Sequence, residues 1–327
     1  MERRIVAGRV PYHGIPTGKL RRYLSLENVR DLFRVGAGVM RAWGLMRTLK
    51  PAAVFSKGGF VSVPPVIAAG ILGIPVVSHE SDADPGLATK INARFSRRIC
   101  VAYESTRTCF APRYRGRVAV TGNPLRPEVL RGSRLVGLEY LGFSPDDPRP
   151  VVLFMGGSQG ARQINELVEQ LPPATQARWR VVHQTGTSVR VVVRREDHHA
   201  AGYFGAELAD ILAAADLVVC RAGASTLWEV AALGLPMLLV PLVEGSRGDQ
   251  VRNAAVFERA RAAVCFRSAR TLVADVAASL DQYAADQEEM RQMGDRARSL
   301  VRVDAADRIA DIIAEYLDPL PVPAGRA

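Results

Sequence analysis

Cysteine is scarce: Cys100, Cys109, Cys220 and Cys265 are scattered, with no Cys-x-x-Cys pair. That spacing excludes a disulfide framework and the usual zinc sites. Long apolar runs are also missing. The longest, Val66 to Val77, is broken by Gly70, Gly73 and Pro75. It falls short of the ~20 residues that a membrane-spanning helix needs, and reads as a core helix followed by a strand. The first residues have no apolar core of the kind a secretory signal carries, so a cytoplasmic location is expected. No His-Glu-x-x-His run is present, and catalysis without a bound metal or other cofactor is the simpler expectation. No zinc-finger spacing or aromatic RNP-like run occurs, which argues against a nucleic-acid partner.

Acidic residues are scarce in one half only. Residues 1–125 hold 20 Lys+Arg against 7 Asp+Glu, a balance of +13, while residues 126–327 hold 23 against 26, a balance of −3. A basic half can meet an anionic membrane surface or a phosphorylated substrate, or be a well-solvated face. The segment Arg21-Arg22-Tyr23-Leu24, with the basic stretch Leu26 to Lys50, can lie on anionic lipid. In the competing reading, Leu32, Phe33, Met40, Trp43 and Leu45 are the core face of a helix.

Short apolar strands alternate with amphipathic helices, the pattern of βα units and parallel sheets. In the first half, strands are expected at Ala53–Ser56, Pro75–His79, Arg98–Tyr103 and Val118–Thr121, with helices near Ser62–Leu72 and Leu87–Phe95. The stretch Gly122–Pro150 carries five prolines and no sustained periodicity, and reads as a linker. A second α/β half follows, with strands at Val151–Met155, Arg180–Gln184, Leu217–Cys220 and Met237–Pro241. Its helices are expected through Ile164 and Val168, at about Thr226–Leu233, and at Asp249–Arg259. The tail from Asp275 to Leu317 is helical by periodicity. The expected division is 1–124, a linker 125–150, a ligand-binding domain 151–304, and a C-terminal helix and tail 305–327. Two doubly wound halves of this kind bind ligands at the C-terminal ends of their strands, in the cleft between them.

Four motifs carry chemistry. Gly156-Gly157-Ser158-Gln159-Gly160 lies between a strand and a helix, where backbone N–H groups and the helix N-terminus favour a phosphate. Three glycines in five residues exceed what a capped turn requires. Arg221–Glu229 repeats the strand-to-helix setting. Glu229 can accept two hydrogen bonds from a ribose diol, while Thr226-x-x-Glu229 is equally a capping box. Gln250 and Asn253 share one face of a helix start, and neutral amides suit sugar hydroxyls. The competing reading is an Asp249-capped helix with a polar face. His79-Glu80-Ser81-Asp82 ends a strand, a position for general-base work or for orienting a hydroxyl.

The series of motifs resembles the MurG family of bacterial glycosyltransferases. The match includes Phe55–Ser62, His79–Asp82 with Pro85-Gly86-Leu87, Thr121–Arg126, Gly156–Ala161, Ala215–Leu217, Arg221–Glu229, and Gly248-Asp249-Gln250 with Asn253. The resemblance implies a GT-B fold, two doubly wound Rossmann-like α/β domains. It implies inverting transfer of N-acetylglucosamine from UDP-N-acetylglucosamine to lipid I, giving lipid II. Gly156, Gly157, Ser158 and Gln159 would then meet the diphosphate, and the backbone of Gly205 the uracil. Ala224, Ser225, Thr226 and Leu227 would line sugar and phosphate, and Glu229 the ribose. Gln250 and Asn253 would hold the sugar hydroxyls, and Arg126 would lie next to the donor. Asp82 stands where the family commonly has Asn. Of the residues present, His79 and Glu80 are the candidates for a role near the acceptor hydroxyl. The resemblance further implies peripheral attachment to the anionic cytoplasmic face of the membrane and association with cell-wall synthesis or division proteins. The family opens with a strand and a Gly-Gly-Thr-Gly-Gly-His loop that this sequence lacks. The expectation is a reading frame extending upstream of Met1, the alternative a shortened chain that binds UDP-N-acetylglucosamine without turnover. UDP-sugar 2-epimerases share the architecture but fit the motif series less well.

Overall fold

The structure, a computed structural model, describes residues 10–18, 26–157, 160–187, 197–243 and 247–317. The chain forms two compact units, one of Met1–Glu80, Pro85–Thr121 and Asp307–Ala327, the other of Ser81–Asp84 and Gly122–Ala306.

The first unit holds a parallel sheet of β1 (Val54–Ser56), β2 (Val76–Glu80), β3 (Arg98–Val101) and β4 (Val118–Val120), in the order β1-β2-β3-β4. All five residues of β2 are buried. Parallel strands with both faces covered have no solvent side, so β2 shows no alternation of buried and exposed positions even though Ser78, His79 and Glu80 are polar. The 24-residue helix Leu26–Leu49 packs against the helix Val63–Ile71. Its core face is Ala42 and Met46, with Val39 and Trp43 alongside. Phe33 and Met40 are instead 76% and 67% exposed, so they do not belong to that face as one reading had them. The spacing explains this: Val35, Val39, Ala42 and Met46 fall on one helical stripe, and Phe33 and Met40 lie off it. The last helix, Ala305–Ala314, buries Ile309 against Val77 and Cys100, and Arg98 pairs with Glu315 at 3.4 Å. The chain from Asp307 therefore belongs to this unit rather than standing alone as a tail.

The second unit holds a six-stranded parallel sheet. Its strands are β5 (Val151–Met155), β6 (Arg180–Gln184), β7 (His198–Ala201), β8 (Leu217–Cys220), β9 (Met237–Leu239) and β10 (Val264–Cys265). Their order is β10-β9-β8-β5-β6-β7. Winding starts at β5, proceeds through β6 to the β7 edge, then returns to the other side of β5 with β8. Helix Arg162–Gln170 covers one face with Ile164, Leu167 and Val168, which pack with Trp179 and Phe154. Each such fully buried side chain contributes roughly 1.5–3 kcal/mol.

The stretch 122–150 is not a linker. It carries the helix Arg134–Leu141, which packs against the helix Leu208–Ala214. Asp210 accepts from the Ser133 N–H at 2.7 Å, and Arg134 pairs with Asp216 at 3.0 Å. The prolines bracket this helix: Pro124 and Pro127 precede it, and Pro145, Pro148 and Pro150 follow it. They delimit the element without preventing it.

Candidate functional site

In the second unit, the neighbours of β5 are β6 on one side and β8 on the other. The connections leaving β5 and β8 thus run to opposite sides of the sheet, and a crevice opens beyond the C-terminal ends of these two strands. A cavity of about 700 Å³ lies there, lined by Gly156, Gly160, Arg221, Leu242, Gln250 and residues around them.

The turn after β5 supplies one wall. Gly157 and Gly160 have φ of +84° and +76°, the left-handed region that favours glycine. The Gly160 N–H donates to the Gly157 carbonyl at 3.0 Å. A Cβ on Gly156 would sit 2.3 Å from the Ala161 nitrogen, and one on Gly160 would sit 2.4 Å from the Thr185 carbonyl oxygen. The path of the chain therefore demands all three glycines by itself, contrary to the expectation that they exceed a turn's needs. What points to a ligand is the cavity beside the turn. Ser158 and Gln159 lie outside the described residues. Gln184, at the end of β6, ties this turn to a second segment: its amide donates to the Gly157 carbonyl at 3.3 Å and accepts from the Phe204 N–H at 3.2 Å. Gly205 follows Phe204 on the exposed rim of the unit.

The turn after β8 supplies the second wall. The helix begins at Ala224, with Gly223 as its N-cap and no side-chain cap. Thr226 is therefore not a capping residue, and Glu229 lies in the second turn rather than the first. Ala224, Ser225 and Thr226 hold the helix start, whereas Leu227 is fully buried and its N–H is bonded to the Gly223 carbonyl. Leu227 is thus a core residue and does not present its side chain to a ligand. Arg126 grips Glu229 with a two-pronged contact, Nε to Oε1 at 2.7 Å and a terminal nitrogen to Oε2 at 2.9 Å. The bond to Glu229 raises the Arg126 pKa above its ordinary value. The two residues named for the donor therefore meet each other.

The turn after β9 brings in the helix Asp249–Arg259. Its N-cap is Gly248, with φ +76°, so Asp249 is its first residue and not its cap. The Gln250 side chain accepts from the Leu242 N–H at 2.9 Å and lines the cavity. Asn253 does not join it. Fully buried, Asn253 accepts from the Ala83 N–H at 2.8 Å and donates to Asp82 at 2.9 Å and to the Ala222 carbonyl at 3.3 Å. Arg252 adds a contact to Asp84 at 3.2 Å. Asn253 thus fastens the segment Ser81–Asp84. Asp82 is engaged in the same fastening rather than turned to a donor.

In the first unit, His79 and Glu80 end β2. His79 is fully buried, with its Nδ1 2.8 Å from the Lys57 ammonium. Glu80 Oε2 accepts from the Thr89 hydroxyl at 2.6 Å and the Gly86 N–H at 3.1 Å. These bonds hold the return of the chain into the helix Leu87–Asn92, which is a different task from taking a proton from an acceptor. Among the described residues, no cluster of His, Cys, Asp or Glu is placed to hold a metal ion.

Arg221 opens the Arg221–Glu229 motif without a role of its own there, and it lines the cavity. It is half-buried, and burial lowers its pKa from the ordinary value. Its signal in the sequence is its place, the first residue after an apolar strand and before a Gly-containing turn.

Comparison with known proteins gives a consistent result. The model of the glycosyltransferase family 28 C-terminal domain matches residues 151–310, and that of the family's N-terminal domain matches residues 1–101. The chain is 45% identical over 253 residues to a UDP-N-acetylglucosamine--N-acetylmuramyl-(pentapeptide) pyrophosphoryl-undecaprenol N-acetylglucosamine transferase 2 of Bacillus cereus, covering 76% of this chain and 70% of the relative. It is 46% identical over 268 residues to the transferase of Treponema pallidum, covering 78% and 69%. Among solved structures it is similar to the MurG of Acinetobacter baumannii, with a TM-score of 0.72 at 24% identity, covering 96% and 88%. A UDP-GlcNAc 2-epimerase from Neisseria meningitidis, solved bound to UDP-GlcNAc, shares the fold with a TM-score of 0.60 at 14% identity, covering 90% and 83%.

Proposed function

The chain belongs to glycosyltransferase family 28, and from that premise we propose that it is the hexosyltransferase that moves N-acetylglucosamine from UDP-N-acetylglucosamine to lipid I, giving lipid II for peptidoglycan. The observation that carries this is 45–46% identity, over three quarters of the chain, to transferases so named. The cavity at the switch point of the family's C-terminal domain supports it, because that crevice is where such sheets take nucleotides.

The chemistry is an inverting displacement. The C4 hydroxyl of the N-acetylmuramoyl group attacks the anomeric carbon, and the bond from that carbon to the diphosphate breaks with its electron pair on the departing UDP. The turn after β5 and the helix starts at Arg162 and Ala224 offer N–H groups to the diphosphate. Gln250 offers its amide to the sugar. Glu229, held by Arg126, accepts from the ribose diol. The enzyme attaches peripherally to the anionic cytoplasmic face of the membrane. The positive balance of residues 1–125 and the exposed Phe33 and Met40 support that attachment, and among the described residues no helix is long and apolar enough to cross a membrane.

The test is UDP release from UDP-N-acetylglucosamine with a lipid I analogue. Release that depends on the acceptor, with a disaccharide product, supports the proposal. Acceptor-independent change of the free sugar nucleotide would overturn it in favour of 2-epimerisation.

A further inference from the structure

Three arginines and two glutamines, Arg162, Gln163, Arg221, Gln250 and Arg267, line the cavity at the switch point with different partners. Arg162 is held by Glu166 at 2.6 Å, and Arg267 by Glu258 at 2.9 Å. Gln250 is neutral. Arg221 has no carboxylate. One terminal nitrogen, Nη1, donates to the Gln163 side-chain oxygen at 2.9 Å and to the Val240 carbonyl at 2.8 Å, both neutral acceptors. Nε and Nη2 are left to face other groups. Burial is the cause of its lowered pKa. A half-buried guanidinium without a counter-charge is costly to keep in the folded protein. A chain folding only for stability would do better with a neutral side chain there.

We infer that Arg221 is the cation that receives the diphosphate of the donor and stabilises it as UDP departs. The inference rests on the proposed transferase reading and adds to it a residue and a role. Arg221 is the first residue after β8, beside the switch point, and it shares the cavity with Gly156 and Gly160 of the turn after β5. Gln163 and Val240 hold Nη1, so the remaining edge of the guanidinium keeps one orientation. A planar fork fixed in this way suits two oxygens of a diphosphate. Negative charge on the bridging oxygen grows as the bond to the sugar breaks. A fixed cation therefore gains more from the transition state than from the bound donor, and its removal lowers kcat as well as affinity.

The experiment compares the full chain with Arg221→Gln, Arg221→Lys and Arg221→Ala, reading UDP and uridine binding by calorimetry, turnover, and the thermal midpoint. In Arg221→Gln, UDP binding is expected to weaken about 30-fold, the size of one lost charge-assisted contact. Uridine, which has no phosphate, binds as before. Turnover falls at saturating donor, Arg221→Lys recovers part of it, and added guanidinium restores part of the activity of Arg221→Ala where urea does not. Equal losses of UDP and uridine with a lowered midpoint overturn the inference, since Arg221 would then serve only to hold Gln163 and Val240. Unchanged UDP binding and turnover in Arg221→Gln also overturn it while leaving the transferase reading intact. A wild-type chain that binds neither UDP nor uridine defeats both.

Discussion

The strand ends of both units carry polar and ionisable residues, and the two sets differ in what surrounds them. At the end of β2, His79 and Glu80 are buried and engaged, by Lys57 on one side and by Thr89 and Gly86 on the other. At the ends of β5, β8 and β9, polar groups line an open cavity, and one of its cations has no carboxylate. Both places have the residue types of an active site. Only the second keeps unsatisfied capacity, and binding needs that capacity because a group already bonded must give up one partner to gain another. Sheet order underlies the difference: β5 has neighbours added in both directions, whereas β1-β2-β3-β4 runs one way among the described residues.

Substitutions separate the two sets of residues. If Glu80 holds the loop, Glu80→Ala leaves the Thr89 hydroxyl and the Gly86 N–H without their acceptor and costs about 3 kcal/mol of stability, read as a lowered urea midpoint. UDP affinity stays near wild type. A stable Glu80→Ala enzyme with turnover abolished would instead return Glu80 to the chemistry. Asn253 sits in the second unit but belongs with Glu80 in kind. Asn253→Ala is expected to cost about 2 kcal/mol by releasing Ala83, Asp82 and Ala222, again measured by the denaturation midpoint, with donor KM changed less than stability implies.

A pH series sharpens the same point, because it reads a satisfied interior directly. His183 is fully buried, 3.0 Å from the Asn165 side-chain oxygen, and burial with the neighbouring His198 lowers its pKa to about 4. The unfolded chain binds its proton near the ordinary value, so it holds more protons than the folded chain between about pH 6.5 and pH 4. Stability from His183 is therefore complete above that window and lost as pH falls through it, by about 2 kcal/mol from pH 7 to pH 5. Urea denaturation at the two pH values checks this, and His183→Gln is expected to flatten that limb. The smallest effect is the one on the ligand side. Glu229→Ala is expected to weaken UDP about tenfold and to remove its preference over 2′,3′-dideoxy-UDP. Stability changes by less than 1 kcal/mol, because Arg126 is half exposed and a pair of that kind contributes little. A Glu229→Ala variant that retains the preference would take the ribose away from Glu229.

Much of the donor-side fold was legible. Val151–Met155, Arg180–Gln184 and Leu217–Cys220 are strands over the expected residues, because strands buried on both faces read as unbroken apolar runs bounded by turns. The strand His198–Ala201 was not legible. It is an edge strand of His-His-Ala-Ala, with none of the β-branched residues that mark a strand. The helix Arg134–Leu141 was hidden among prolines, since eight residues give too few turns for a period to show. Of the site, the Gly-containing turn after β5 and the presence of helices after β8 and β9 were foreseen, while the caps of those helices, Gly223 and Gly248, were not. The engagements of Asn253, Glu80 and Leu227 were not, because each depends on a partner distant in sequence or on depth in the core.

The sequence by itself determined the family, the α/β class, the strands on either side of the switch point and the turns that leave them. Local spacing and residue type are enough for these, since they follow from period, apolar runs and glycines. Only the tertiary structure decided which polar groups are spent and which are available. Asn253 is used up on Asp82, Ala83 and Ala222, Glu80 on the turn and helix that follow it, Glu229 meets Arg126 from 103 positions away, and Arg221 is left facing a cavity with neutral partners. A side chain's hydrogen-bonding capacity is fixed by its chemistry, but what consumes it is fixed by which distant residues the fold brings within about 3 Å.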